Sequence, residues 1–111
     1  MSDSLFPPFL KWGKSKDPKK PDKHKIRIKN TETFETEFTI NCDSEIYLDG
    51  EWTDVTIPLK GHESPNSSLL NQFTRAVKDG KIKNGSVIII TTYLDKSKNN
   101  RPIRRYSLAK N

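Results

Sequence analysis

From Lys25 to Ile40, apolar residues return at every second position. Ile26 and Ile28 alternate with Lys25, Arg27 and Lys29, and Phe34, Phe38 and Ile40 keep the same even phase. Successive side chains of a strand point to opposite faces, so this period predicts half-buried β-structure. The shared phase across 30–33 predicts one long bent strand with a bulge or kink in that polar stretch; a hairpin turning there is the rival. Asp49-Gly50 then sits between two alternating runs, 45–48 and 51–59. A type I′ turn needs positive φ at both central residues, which Asp and Gly tolerate, so a hairpin is expected. Pro58 must lie near a strand end or on an unpaired edge. Val87-Ile88-Ile89-Ile90 predicts a further strand, buried in part on both faces and continuing to Leu94. A polar loop over 95–100 leads to a closing strand with Ile103, Tyr106 and Leu108. Phe34, Phe38, Phe73, Tyr93 and Tyr106 are expected in the core.

One helix interrupts the strands. Ser64-Pro65 reads as N-cap and first helical residue. Leu69, Leu70, Phe73, Ala76 and Val77 recur at three- and four-residue spacing, and Gly80 suits the left-handed position just past the end. The spacing predicts a helix over about 65–79. The order becomes long bent strand, strand, strand, helix, strand, strand. This suits a mainly β fold: a small five-stranded barrel of the OB type, with the helix between strands 3 and 4 and closure removing the sheet edges. An open β-grasp or SH3-like sheet is the structural rival.

At 111 residues the chain is one domain's worth of material. Pro7, Pro8, Pro18 and Pro21 fall in residues 1–23, and Pro and Lys dominate 14–23. Residues 14–23 therefore read as an extended, mobile linker, 1–23 as an N-terminal arm and 24–111 as the folded domain. Phe6, Phe9, Leu10 and Trp12 crowd the arm's first half, so it either docks on the domain or meets a partner. No apolar stretch approaches the roughly 20 residues that span a bilayer. The opening residues lack the basic head and apolar middle of a signal peptide, and Cys42 is alone. A cytoplasmic protein without disulfides is expected, nucleoid-associated if cellular, with no membrane partner.

The net charge of +6 hides a segregation. Residues 11–29 carry nine cations against Asp17 and Asp22, and residues 96–110 carry six cations and no acid. Residues 30–80 hold ten acids against Lys60, Arg75 and Lys78. Positive potential should be focused where the two basic ends meet, and a polyanion would be drawn there.

The opening Phe-Pro-Pro-Phe-Leu-Lys-Trp, the Lys-Ile-Arg-Ile that follows, the stretch from Ser64-Pro65 through Gly85 and the ending Arg-Pro-Ile-Arg-Arg-Tyr-Ser-Leu resemble a compact OB-fold single-stranded-DNA-binding protein of the viral or archaeal kind. The similarity is one of element order and texture, without a diagnostic motif. It implies sequence-tolerant binding of single-stranded DNA, in protection or presentation of strands during replication, repair or recombination.

Such binding needs cations that follow the phosphates and flat rings on which bases stack. In OB-folds the face of strands 2 and 3, with the loops 1–2 and 4–5, does this work. Those elements supply Tyr47, Trp52, Lys96, Lys98 and Arg101. Strand 1 adds Lys25, Arg27 and Lys29, opposite to Ile26 and Ile28, and the closing strand adds Arg104 and Arg105. Trp12 either clips the arm to the domain or stacks on a base; Trp52 is either core or platform. The reading requires all these groups to converge on one track.

RNA is the nearest alternative partner, since stacking does not distinguish sugars. A protein-interaction module, using the acidic middle and the aromatic arm, is the alternative from another class. A homo-oligomer or a replication or repair protein are further possible partners. No enzyme and no cofactor is expected. His24 and His62 stand apart, no glycine-rich phosphate loop exists, and the acids of 32–54 alternate with apolar strand residues as a solvated face would.

Overall fold

A computed structural model describes residues 8–96 and 98–111. The strands are β1 (Asp22–Ile28), β2 (Phe34–Glu35), β3 (Thr39–Leu48), β4 (Glu51–Gly61), β5 (Val87–Lys96) and β6 (Pro102–Lys110), with one helix, α1 (Ser68–Lys78), between β4 and β5. All strand pairings are antiparallel.

The first long strand is broken where its apolar alternation is interrupted. β1 pairs Ile26, Arg27 and Ile28 with Ile46, Glu45 and Ser44. β2 pairs Phe34 and Glu35 with Asn41 and Ile40. β4 occupies the other edge of β3 along its whole length, so β1 and β2 lie on one side of it. The interruption lets the chain bend while keeping Ile26 and Ile28 buried. The phase shared across it does not carry Phe38 inward. Thr36 and Thr39 close a tight turn, with Thr36 N–H donating to the Thr39 carbonyl at 2.8 Å. Phe38 stands on this turn and is 73% exposed, a correction to its expected place in the core. Phe34 is half-buried and Phe73 fully buried.

The hairpin at 49–50 forms as its chemistry requires, with φ of 50° at Asp49 and 85° at Gly50. The β3–β4 register slips between Ile40 and Asn41, opposite Pro58. A bulge on an edge strand tolerates a residue without an N–H.

The core joins Ile26, Ile28, Ile46, Val55, Ile57, Leu59, Leu69, Phe73, Ile82, Ile88 and Ile90, with Cys42 among them. Burial pushes the Cys42 thiol up to about 11 from its ordinary 9.0. The neutral thiol is therefore favoured by folding. Its contribution is complete below pH 9 and is lost as pH rises towards 11. Iodoacetamide at pH 8.5 should leave Cys42 unmodified in the native protein and alkylate it once urea unfolds the chain. Mass spectrometry checks this; rapid native labelling would contradict the burial.

The helix starts three residues later than its sequence signals suggest. Ser67 takes the N-cap position. Ser64 and Asn66 instead build the preceding turn: Ser64 Oγ accepts from Asn66 N–H at 3.2 Å, and Asn66 Oδ1 accepts from Ser68 N–H at 3.2 Å. The C-terminal end is as expected, with Gly80 at φ 75° and its N–H on the Val77 carbonyl.

The sheet runs β4–β3–β1–β5–β6 and does not close: among the described residues no strand pairing joins β4 to β6. The expected closed barrel is corrected to this extent. Two other elements occupy the edges. The helix packs on both β4 and β6 and buries Leu69 and Phe73. The arm pairs with β4: Leu10 N–H donates to the Thr56 carbonyl and Thr56 N–H to the Pro8 carbonyl, each at 2.9 Å. Two outward carbonyls of β6, at Arg104 and Tyr106, accept at 2.9 Å from the side-chain amides of Asn66 and Gln72. Edge groups that could recruit another chain are thereby occupied.

The arm is docked from Pro8 on, through the stretch 14–23 that was expected to be mobile. Trp12 packs edge-on against Tyr106 and His24, with ring centroids 5.2 and 5.7 Å apart. His24 Nε2 donates to the Trp12 carbonyl at 3.2 Å. Leu94 N–H reaches the Ser15 carbonyl at 2.7 Å, and the supposedly extended Lys-rich segment turns at 17–20, where Lys20 N–H donates to the Asp17 carbonyl. Leu5, Phe6 and Pro7, which the sequence also places in the arm, lie outside the described residues. Gly13 sets the arm's path: its φ is 91°, and a Cβ there would come within 2.5 Å of the Asp22 carboxylate, which accepts from Ser15 N–H. Gly13→Ala should release the arm at a cost above about 1 kcal/mol. Faster tryptic cleavage at Lys14–Lys20 than in the parent protein is the expected result; an unchanged digestion rate would show that the arm is held by other contacts.

Candidate nucleic-acid interface

Because β1 turns Ile26 and Ile28 inward, Lys25, Arg27 and the neighbouring Lys23 must point out. The same alternation turns Tyr47 out from β3, beside buried Ile46, and Trp52 out from β4. Tyr47 and Trp52 are cross-strand partners, and their rings meet edge to face with centroids 5.2 Å apart. Lys25 Nζ lies 4.9 Å from the centre of the Tyr47 ring, and the Arg27 guanidinium 4.4 Å from that of Trp52. Two rings and two cations thus form one patch across β1, β3 and β4. Tyr47 is 41% exposed and Trp52 half-buried, so both present surface.

Acids run through the same face. Arg27 Nε donates to Glu45 at 2.9 Å, and Lys29 Nζ to Asp54 at 3.1 Å. The Lys29–Asp54 hydrogen bond holds the lysine above its ordinary pKa. These partners fix the cations in place and offset their charge. Lys25 is in none of the ion pairs among the described residues.

The remaining expected residues gather in a second group. Lys96, Lys98 and Arg101 belong to the β5–β6 hairpin, which lies against the arm through the Leu94–Ser15 hydrogen bond. Lys16 and Lys96 line one small cavity between the hairpin and the arm. The two basic ends of the chain do meet, here rather than at the aromatic patch. Arg104 turns inward and donates to Thr92 Oγ1 at 3.2 Å and to the Gly13 carbonyl at 2.9 Å. Arg105 faces out and donates to Asp95 at 3.2 Å. Asp95 is held below its usual pKa first by the Lys96 N–H and then by Arg105. Trp12 is the arm's clip, half-buried against Tyr106.

The eleven residues are thus split between two groups, one on β1, β3 and β4 and the other around the β5–β6 hairpin and the arm. Outward-facing Lys23, Thr91 and Tyr93 occupy the intervening surface. Tyr93 accordingly shares the outer face instead of filling the core; Tyr106 does pack against the core, and burial raises its pKa. Lys16 and Lys23 stand beside the two groups without having been expected there. Lys23 shares the odd phase of Lys25 and could have been found from it; Lys16 depends on arm docking, which has no local signal.

Among the described residues no helix is long and apolar enough to cross a membrane, and no group of three His, Cys, Asp or Glu could hold a metal ion. No protein-family model, curated protein or solved structure matches the chain.

Proposed function

We propose that the protein binds single-stranded nucleic acid, DNA before RNA, without strong sequence preference, through the outer face of β1, β3 and β4. The observation that carries this is the Tyr47–Trp52 pair with Lys25 and Arg27 poised over its rings. In the free protein the cations cover the ring faces. An exposed cation–π contact is worth about 0.5–1 kcal/mol, whereas a stacked base contributes about 1–3 kcal/mol. An incoming base therefore displaces the cation, which stays within reach of the adjoining phosphate. The strand order β4–β3–β1–β5–β6, with the helix following β4, supports an OB-type barrel whose seam is filled by the arm and α1.

Cations already paired with carboxylates release few counterions on meeting a phosphate. Lys25 on this face, and Lys96, Lys98 and Arg104 of the second group, towards which the strand continues, are in no ion pair among the described residues. Three or four phosphate contacts on a single strand give a slope of log K against log salt of about −2 to −3. Anisotropy of labelled dT15 titrated from 50 to 200 mM NaCl measures it, with a matched duplex and rU15 as comparators. Duplex binding should be much weaker. Absence of single-strand binding at low salt would instead favour a protein-interaction module.

A further inference from the structure

Two cavities open beside the β5–β6 hairpin and share Leu94 and Pro102 as walls. The larger, about 520 Å³, lies between the hairpin and the connection from β4 to α1. Pro65, Leu94, Pro102 and Tyr106 give it apolar surface, and Arg101 and Arg104 line it as well. Its volume is within the usual range for a small-molecule guest. The smaller, about 310 Å³, adds Lys16 and Lys96.

Arg104 decides what the larger cavity suits. It is half-buried, and the two oxygens its guanidinium meets, Thr92 Oγ1 and the Gly13 carbonyl, are neutral. It is in none of the ion pairs among the described residues. A cation in partly desolvated surroundings with only neutral acceptors keeps its charge uncompensated, and two such bonds leave some of the five N–H donors unused. The contacts to Thr92 and Gly13 fix the guanidinium before any ligand arrives. The one carboxylate at the adjoining cavity, Asp95, is already engaged by Arg105 and by the Lys96 N–H. An anion is the missing partner, and the apolar walls call for a flat group attached to it.

We infer that the larger cavity seats one nucleotide of the bound strand, with its phosphate on Arg104 and Arg101 and its base against Tyr106, Pro65 and Pro102. Lys16 and Lys96 take the adjoining phosphate. The inference rests on the single-strand reading above and gives the strand a second anchor, away from the Tyr47–Trp52 patch.

The test uses thymidine 5′-monophosphate on the full chain, followed by methyl NMR of Leu94 and Ile103. The nucleotide should shift both signals saturably, whereas thymidine without phosphate should not. Arg104→Gln should weaken that binding about 10-fold or more, and Phe38→Ala, at an exposed turn outside both groups, should leave it unchanged. If Arg104→Gln does not fold, Arg101→Gln on the exposed hairpin serves for the same comparison. Equal shifts with thymidine, or wild-type nucleotide affinity in the folded arginine variant, would overturn the inference. Loss of dT15 binding by Trp52→Ala is read separately, so failure of the cavity and failure of the patch are told apart.

Discussion

Trp52→Ala should weaken dT15 binding roughly 5- to 150-fold, the equivalent of about 1–3 kcal/mol for one lost stacking surface. The ring is only half-buried and lies outside the core cluster, so the variant should fold and melt within a few degrees of the parent. Tyr47→Ala should act in the same direction. The two rings touch, so the double variant should lose less than the sum of the single losses. Arg27→Gln separates charge from stacking. It removes the cation over Trp52 and leaves Glu45 without its partner, so affinity should fall while the salt slope stays nearly constant. Anisotropy titrations on all four variants measure these effects; wild-type affinity in a folded Trp52→Ala would remove the platform from the account.

Ile26→Ala should be the most damaging single truncation for stability. Ile26 is 0% exposed at the middle of the sheet, paired with Ile46 on β3 and Ile88 on β5. Deleting three buried carbons costs about 2–5 kcal/mol, because the neighbouring strands are hydrogen-bonded on both sides and cannot collapse into the void. A domain of this size has only about 5–15 kcal/mol in total. The melting temperature should drop by about 10 °C or more. The exposed control Phe38→Ala should change it little. Thermal unfolding followed by circular dichroism compares the two, and a larger effect at Phe38 would contradict the assignment of the core.

Local chemistry made much of the fold legible. Asp49-Gly50 specifies its own turn, Gly80 ends its helix, and Ile26 and Ile28 place β1 because alternation needs only neighbouring residues. The misreadings came from contacts distant in sequence. Phe38 kept the phase of Phe34 and Ile40, but phase has no meaning inside the Thr36–Thr39 turn. Ser64-Pro65 carried a helix start, yet Asn66 is drawn to the Arg104 carbonyl, 38 residues away, and the helix begins after it. Docking of the arm depends on Trp12 finding Tyr106 and on Gly13 passing Asp22, neither of which leaves a local pattern. The same holds for the open seam, where the arm and α1 lie along edges that further strand pairing would have covered. Within the candidate site, Lys25, Arg27, Tyr47 and Trp52 were legible because alternation turns each of them outward and strand pairing brings them together. The separation of the β5–β6 cations from that patch was not, since it depends on β5 and β6 pairing on the side of β1 away from β3 and β4.

The two tryptophans provide the most direct test of where a strand binds. Trp12, on the arm, is clipped against Tyr106, Trp52 stands on the outer face, and each has one indole N–H signal. With dT15 added at 50 mM NaCl, the account predicts that the Trp52 indole shifts and saturates together with the Lys25 and Tyr47 amides, while the Trp12 indole keeps its position. Saturable binding that leaves Trp52 unmoved, or that is equally tight for duplex DNA, would contradict it.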